Sequence, residues 1–105
     1  DPDLDGRFLQ VSGIKYTIDP SQEFGSRISE VMVATGGEFA PLDAAATYGL
    51  VSNNFVRGGG DGYSMFVDAA NAYDFGPDLA EVLAEYMAGQ QNYAPYTDGR
   101  ITIVE

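Results

Sequence analysis

The chain has 105 residues, of which 45% are hydrophobic and 20% charged, a composition typical of one small folded domain. It contains no Cys and no His. This excludes disulfides, removes the usual protein ligands of zinc, copper, iron and haem, and argues against a Ser-His-Asp triad. Sixteen acidic against five basic residues give a net charge of −11, which disfavours nucleic acid as a partner. No apolar run is long enough for a membrane span, so membrane insertion is not expected.

The first predicted element is a strand over residues 7–18. Its apolar residues change phase, from Leu9 and Val11 at odd positions to Ile14, Tyr16 and Ile18 at even positions. A phase change beside Ser12 and Gly13 predicts a bulge or sharp bend within the strand. Phe8 then falls on the polar phase, which makes it a candidate binding residue, although single exposed aromatic residues are common.

The remaining strands are separated by segments rich in turn residues. Residues 19–26 form a predicted connection, Gly36 and Gly37 end the second strand, and a short apolar piece surrounds Phe39. Apolar and β-branched residues predict strands over 27–34, 47–52 and 100–104.

Two helices are predicted in the second half of the chain. Ser64 is a candidate N-cap for a helix over 64–74. Asp78 and Glu81 have the spacing of a capping box for a helix over 78–88, and Gly89 is a natural stop. Strands followed by helices indicate an α+β fold, with a mixed or antiparallel twisted sheet of four to six strands and both helices covering one face. We expect one domain over residues 1–105.

Three segments carry possible chemistry. Residues 1–6 resemble the first half of a calcium-binding EF-hand loop, but Ser12 stands where a bidentate Glu is required, so a solvated acidic segment is favoured. The glycine loop of Gly59, Gly60, Asp61 and Gly62 suits either anion binding or a tight turn with positive φ, and it lacks the Walker lysine. Among the carboxylates, no pair is singled out for glycosidase chemistry.

Tyr63 follows the glycine loop directly, where its ring need not join the apolar face of the predicted helix. Packing in the core is the alternative, because seven Tyr and six Phe in a small domain require several buried rings. The sequence alone leaves both interpretations open.

Two segments together resemble the second half of the C-terminal domain of the 5'-nucleotidase and UDP-sugar hydrolase family of two-metal phosphoesterases. They are residues 6–14 (GRFLQVSGI) and residues 53–63 (NNFVRGGGDGY), and the resemblance extends through 41–43 and 47–48 to the closing strand near 100–101. It covers nearly the whole chain, and the paired motifs are far more specific than either glycine run alone.

The resemblance implies a function for this chain and for the polypeptide around it. In the family, the C-terminal domain binds the base and ribose of the nucleotide, and two aromatic rings at the positions of Phe8 and Tyr63 sandwich the base. Asp68 is the nearest match to an Asp that contacts the ribose; it lies one helical turn after Ser64, so the two side chains would face the same way. The resemblance implies no catalytic residue and no metal ligand in this chain. The resemblance implies that divalent metal ions and catalysis belong to an N-terminal metallophosphoesterase domain of the same polypeptide.

Compared with the family, this sequence lacks the catalytic metal domain and the first half of the C-terminal domain. The expectation is therefore the nucleotide-binding part of a periplasmic or secreted 5'-nucleotidase-like hydrolase, inactive alone. The alternatives are the same part of a 2',3'-cyclic-nucleotide phosphodiesterase or a UDP-sugar hydrolase, or a structural domain that binds no nucleotide in isolation.

Overall fold

The computed structural model describes residues 8–105 and has an α+β fold. It contains four strands and two α-helices: β1 (Ile14–Ile18), β2 (Ile28–Thr35), β3 (Glu38–Pro41), α1 (Asn54–Arg57), α2 (Leu79–Gln90) and β4 (Ile101–Ile103). The strands form one mixed sheet in the order β3-β2-β1-β4. The predicted α+β class and mixed sheet are therefore confirmed.

The chain divides into two units. The sheet unit consists of the described residues up to Tyr48 together with Tyr96–Glu105, and the helical unit consists of Gly49–Pro95. All four strands belong to the sheet unit and both α-helices to the helical unit.

Strand β1 is central in the sheet because it pairs antiparallel with β2 on one side and parallel with β4 on the other. All five of its residues are half-buried. The predicted strands over 27–34 and 100–104 are confirmed with shifts of one residue at their ends. Strand β3 was not predicted. Gly36 and Gly37, with φ of 59° and 88°, form the two-residue turn that pairs β3 with β2, as type I′ hairpins require.

The bulge predicted beside Gly13 lies elsewhere. Residues 8–13 form no strand, and the chain bends at Gly13, with a φ of 83°, before β1 begins. The irregularity in pairing falls in β2, at Glu30. Glu30 has a φ of 52°, and its carboxylate accepts a hydrogen bond of 3.0 Å from the Thr17 hydroxyl on β1. A strand over 7–18 was therefore too long a prediction, because the apolar phase change marked the start of the strand.

The helical unit contains one confirmed and one missed helix. In α2, the Asp78 carboxylate accepts a 3.2 Å hydrogen bond from the Glu81 backbone N–H, so the predicted N-cap is correct, and the helix ends one residue beyond Gly89. Helix α1 was not predicted. The Asn53 side chain caps it by accepting from the Val56 N–H at 2.8 Å.

The predicted helix over 64–74 is wrong. The chain forms only a 3₁₀ turn over Ser64–Phe66, no side chain caps it, and turns follow. Two features prevent continuation. The Phe66 carbonyl accepts from the Arg57 side chain and from the Ala69 N–H, and Asn71 has a φ of 56°, outside the helical region.

The predicted strand over 47–52 is also wrong, since these residues form no strand in the structure. A β-branched and aromatic composition stabilises a strand only where a neighbouring strand supplies backbone partners. Here the Tyr48 side chain instead closes a local turn, because its hydroxyl oxygen accepts a 3.0 Å hydrogen bond from the Asp43 N–H.

Burial is shallow throughout the described part of the chain. Among these residues Val56 is the one buried hydrophobic side chain, at 6% exposure. The apolar face of α2 is 42–61% exposed at Leu79, Val82, Leu83, Tyr86 and Met87. That the helices cover one face of the sheet stays a prediction. No helix within residues 8–105 has both the length and the apolar character needed to cross a bilayer.

Candidate functional site

The glycine loop after α1 is a tight turn in which three of four consecutive residues have positive φ. Gly59 has a φ of 94°, Asp61 of 54° and Gly62 of 83°. Glycine reaches this region without steric cost, and Asp is among the few other residues that tolerate it. The interpretation of these glycines as a turn with positive φ is confirmed at Gly59 and Gly62. Asp61 is half-buried and adopts the left-handed conformation within this turn.

Gly60 is required for a different reason, because the Phe55 residue of α1 lies directly against it. A Cβ added at Gly60 would lie 2.6 Å from the Phe55 carbonyl oxygen and closer still to two carbons of the Phe55 ring. This contact packs the glycine loop onto the preceding helix.

Tyr63 emerges from this loop with a half-buried side chain. Its backbone N–H donates to the Gly60 carbonyl at 3.1 Å, and its carbonyl accepts from the Phe66 N–H at 3.1 Å. The Tyr63 and Phe66 rings are parallel within 6°, with centroids 5.6 Å apart. This is an offset stack, in which Phe66 covers part of one face of the Tyr63 ring.

Arg57, the last residue of α1, connects the ends of this region. Its Nη1 donates to the Phe66 carbonyl at 3.1 Å, and its Nε lies 3.3 Å from an Asp74 carboxylate oxygen. The Nε atom is buried and its N–H is not aligned for a hydrogen bond, so the contact with Asp74 is an ion pair. The Arg57 side chain is 25% exposed and that of Asp74 is 58% exposed.

Asp68 lies in the turn that follows the 3₁₀ segment, and it is exposed. The expectation that Asp68 and Ser64 face the same way depended on a helix over 64–74. Because that helix is absent, the argument from spacing is wrong. Contact between Asp68 and a ribose stays a prediction that follows from the resemblance.

Phe8 belongs to the sheet unit and is half-buried there. The segment that carries it is fixed by two hydrogen bonds to its backbone. The Tyr16 hydroxyl donates to the Leu9 carbonyl at 3.0 Å, and Nη1 of Arg100 donates to the Val11 carbonyl at 2.6 Å. A residue that is off the apolar phase is thus held on an ordered segment, and its role in binding stays a prediction.

Arg100 is itself held in place by Asp98. Its Nε donates to the Asp98 carboxylate at 2.8 Å, and its guanidinium lies 5.7 Å from the centre of the Tyr96 ring. The hydrogen bond from Arg100 lowers the pKa of Asp98 below its ordinary value and, reciprocally, raises that of Arg100. The ion pair therefore holds the guanidinium that donates to the Val11 carbonyl.

A divalent metal site was not predicted in this chain. Within residues 8–105, no three His, Cys, Asp or Glu side chains are placed to hold one metal ion, so the residues described here do not fit such a site. Residues 1–6, considered above as part of a calcium loop, lie outside the described residues.

The fold and the motifs around the glycine loop define a family. The family model for "5'-nucleotidase, C-terminal domain" matches residues 1–68, and the chain belongs to this family. The chain is 39% identical over 103 residues to a 5'-nucleotidase-related protein of Glossina morsitans morsitans, covering 93% of the chain and 18% of that protein. It is 37% identical over 98 residues to the trifunctional nucleotide phosphoesterase protein YfkN of Bacillus subtilis, covering 91% of the chain and 7% of that protein.

A solved structure agrees with the sequence comparisons. The crystal structure of a 5'-nucleotidase precursor from Thermus thermophilus matches 95% of the chain with a TM-score of 0.87 and 40% identity. The chain corresponds to 20% of that protein. It thus spans about a fifth or less of the length of these relatives.

Sequence reasoning missed Arg57 and Phe66. Arg57 lies within residues 53–63, the segment that carries the resemblance, but no sequence signal indicated its role. The sequence could not show which carbonyl it reaches, because that depends on where the chain turns after Tyr63.

Proposed function

We propose that this chain is the substrate-binding C-terminal part of a 5'-nucleotidase-like nucleotide hydrolase, in which the Phe8 and Tyr63 rings contact the nucleobase. Membership of the 5'-nucleotidase C-terminal domain family supports the substrate class. The observation that carries the proposal is the geometry at Tyr63. A half-buried ring follows a glycine turn with positive φ and lies parallel to the Phe66 ring, so an ordered aromatic surface stands directly beside the glycine loop.

The chemistry of stacking fits this use. Each base presents a π face, so an aromatic ring binds different bases with little selectivity, and one stack contributes about 1–3 kcal/mol in single-strand binding proteins. Asp68 would accept hydrogen bonds from ribose hydroxyls, since it is an exposed carboxylate five residues after Tyr63. The strong negative charge of the chain disfavours long nucleic acids as ligands.

Catalysis would take place outside this chain. We propose that an N-terminal metallophosphoesterase domain of the same polypeptide holds divalent metal ions and that the isolated chain is inactive. Relatives about five times as long or longer, named as 5'-nucleotidases or nucleotide phosphoesterases, support this arrangement. The exposed apolar face of α2 also favours a chain that packs against further polypeptide.

A periplasmic or secreted location is part of the proposal, and relatives that include a snake venom 5'-nucleotidase from Macrovipera lebetinus support it.

Calorimetric titration with adenosine, in the full polypeptide that the gene encodes, tests the binding role. Phe8→Ala and Tyr63→Ala should each weaken adenosine binding by about 1–3 kcal/mol, a factor of about 5 to 150. Each variant has a matched control in its own unit. Phe24→Ala and Tyr73→Ala remove rings that are 84% and 76% exposed, and they should leave the affinity within about twofold of wild type. Unchanged affinity in both test variants would refute the proposal.

A second candidate is the hydrolysis of another phosphate ester of a nucleotide, such as a 2',3'-cyclic nucleotide or a UDP-sugar. The similarity to a relative named a trifunctional nucleotide phosphoesterase favours testing it. Phosphate release from AMP, 2',3'-cyclic AMP and UDP-glucose by the full polypeptide separates these activities. The proposal expects the highest kcat/KM with AMP, and a higher value with either of the other substrates would favour the second candidate.

A further inference from the structure

We propose that Arg57 is a positioning residue, which fixes the plane of the Tyr63 ring by holding the Phe66 backbone. The inference rests on the proposed function and names a residue that acts on the binding ring through Phe66. It follows from contacts that all lie within the helical unit.

The link between Arg57 and Tyr63 has two steps. Arg57 binds the Phe66 carbonyl oxygen through Nη1 at 3.1 Å, and the Phe66 ring stacks on the Tyr63 ring with a centroid distance of 5.6 Å. The Phe66 N–H also donates to the Tyr63 carbonyl at 3.1 Å. A guanidinium that holds the Phe66 carbonyl therefore holds both the backbone turn and the ring that Tyr63 stacks on.

The anchor of Arg57 is itself well defined. The residue ends α1, whose Asn53 cap and buried Val56 hold the helix in place. The Asp74 carboxylate approaches Nε at 3.3 Å, so the guanidinium is held between Asp74 and the Phe66 carbonyl. Because Asp74 is 58% exposed, the ion pair itself should matter less than the hydrogen bond to the half-buried turn.

The Arg57 contact lies where the chain leaves the helical path. In an α-helix the Phe66 carbonyl would accept from the N–H of residue 70, whereas here it accepts from the Ala69 N–H and from Nη1 of Arg57. The short 3₁₀ turn over Ser64–Phe66 follows Tyr63 directly. Without Arg57, the turn loses one of the two hydrogen bonds at the Phe66 carbonyl, so we expect the Phe66 and Tyr63 rings to be held less firmly.

A double-mutant cycle with adenosine as the probe tests the proposal in the full polypeptide. Adenosine carries no net charge, so removing a positive charge from the protein does not weaken its binding through a loss of long-range attraction. Arg57→Ala should raise the Kd for adenosine about fivefold to tenfold, whereas in a Tyr63→Ala background it should have no further effect. Arg57→Met, which keeps the apolar stem, provides the same test if the Ala variant does not fold.

Three additional measurements separate positioning from a merely structural role. Arg27 lies in the sheet unit, where its Nε donates to the Gln22 carbonyl. Arg27→Ala also removes one positive charge from the chain, and it should leave the Kd for adenosine unchanged. Arg57→Lys, which can still donate to the carbonyl, should recover part of the affinity. With AMP, Arg57→Ala should raise KM with kcat unchanged, as expected for loss of binding that is equal in ground and transition states.

The outcomes distinguish failure of this inference from failure of the proposed function. If Tyr63→Ala weakens binding but Arg57→Ala does not, the positioning role is wrong and the proposed function stands. If the effect of Arg57→Ala is the same in both backgrounds, Arg57 acts independently of Tyr63 and the inference is wrong. If Tyr63→Ala leaves the Kd unchanged, the stacking role of Tyr63 and the inference built on it both fail.

Discussion

Replacing Gly60 by Ala is the sharpest test of how the glycine loop is built. The added Cβ would lie 2.6 Å from the Phe55 carbonyl oxygen, and because that oxygen belongs to the backbone of α1, the clash cannot be relieved by rotating a side chain. The Phe55 ring is 61% exposed and can move aside, so the backbone contact decides the cost. Overpacking of this kind costs about 1–3 kcal/mol, and the lower entropy of unfolded Ala offsets about 0.4–1 kcal/mol. We therefore expect a net local destabilisation of about 1–2 kcal/mol.

Native-state hydrogen exchange measures this locally, because the exchange of structured amides depends on the free energy of local opening. Peptides from residues 53–68 should exchange about 5 to 30 times faster in Gly60→Ala. Gly89→Ala is the matched control, since its added Cβ meets nothing within 4 Å outside the neighbouring backbone of its own helix and Ala favours the helix by up to about 1 kcal/mol. Exchange in 79–90 should slow in this control. Unchanged or slower exchange at 53–68 in Gly60→Ala would refute the proposed packing of the loop on α1.

Three further predictions concern the elements around the site. Asp78→Ala removes the N-cap of α2 and should destabilise it by about 1 kcal/mol in hydrogen exchange, whereas Asp78→Asn should retain most of the protection. Tyr16→Phe removes the hydrogen bond to the Leu9 carbonyl and should cost about 0.5–1.5 kcal/mol in urea unfolding, with no loss if that bond is absent in solution. Arg100 lowers the pKa of Asp98 in the folded state below its ordinary value of 3.8. The pair therefore stabilises the fold fully at pH values above 3.8, and this contribution is lost as the pH falls through the lowered pKa of the folded state. NMR titration of the Asp98 carboxyl carbon should show the pKa returning towards 3.8 in Arg100→Ala, and an unchanged pKa would contradict the ion pair.

Sequence reasoning succeeded where local chemistry determines structure. Helix α2 has a cap at Asp78 and a continuous apolar face, and both are properties of the segment itself. Strand β2 was found because Val31, Met32 and Val33 form an apolar run before the glycine pair, although that pair was read as an end of the strand and not as a hairpin turn. The family was identified from residues that the later comparisons also matched.

The errors arose where one segment depends on a distant one. Residues 47–52 have strand composition, but a strand also needs a neighbour with free backbone groups, which composition cannot supply. The helix over 64–74 is absent because the chain turns after Phe66, whose carbonyl accepts from the Ala69 N–H and from Arg57, and because Asn71 has a positive φ. At the candidate site, the sequence was enough to select Tyr63 as a binding residue. It was not enough to predict that the Tyr63 ring stacks on the Phe66 ring, because Phe66 was assigned to a helix over 64–74.

The most direct test of the binding role is a crystal structure of the full polypeptide with adenosine. We predict that the adenine ring lies parallel to the Tyr63 ring at about 3.5–4.0 Å and that the Phe8 ring also contacts the base. Adenosine bound with its base away from the Tyr63 ring, or a Tyr63 ring covered on both faces by protein side chains, would contradict it.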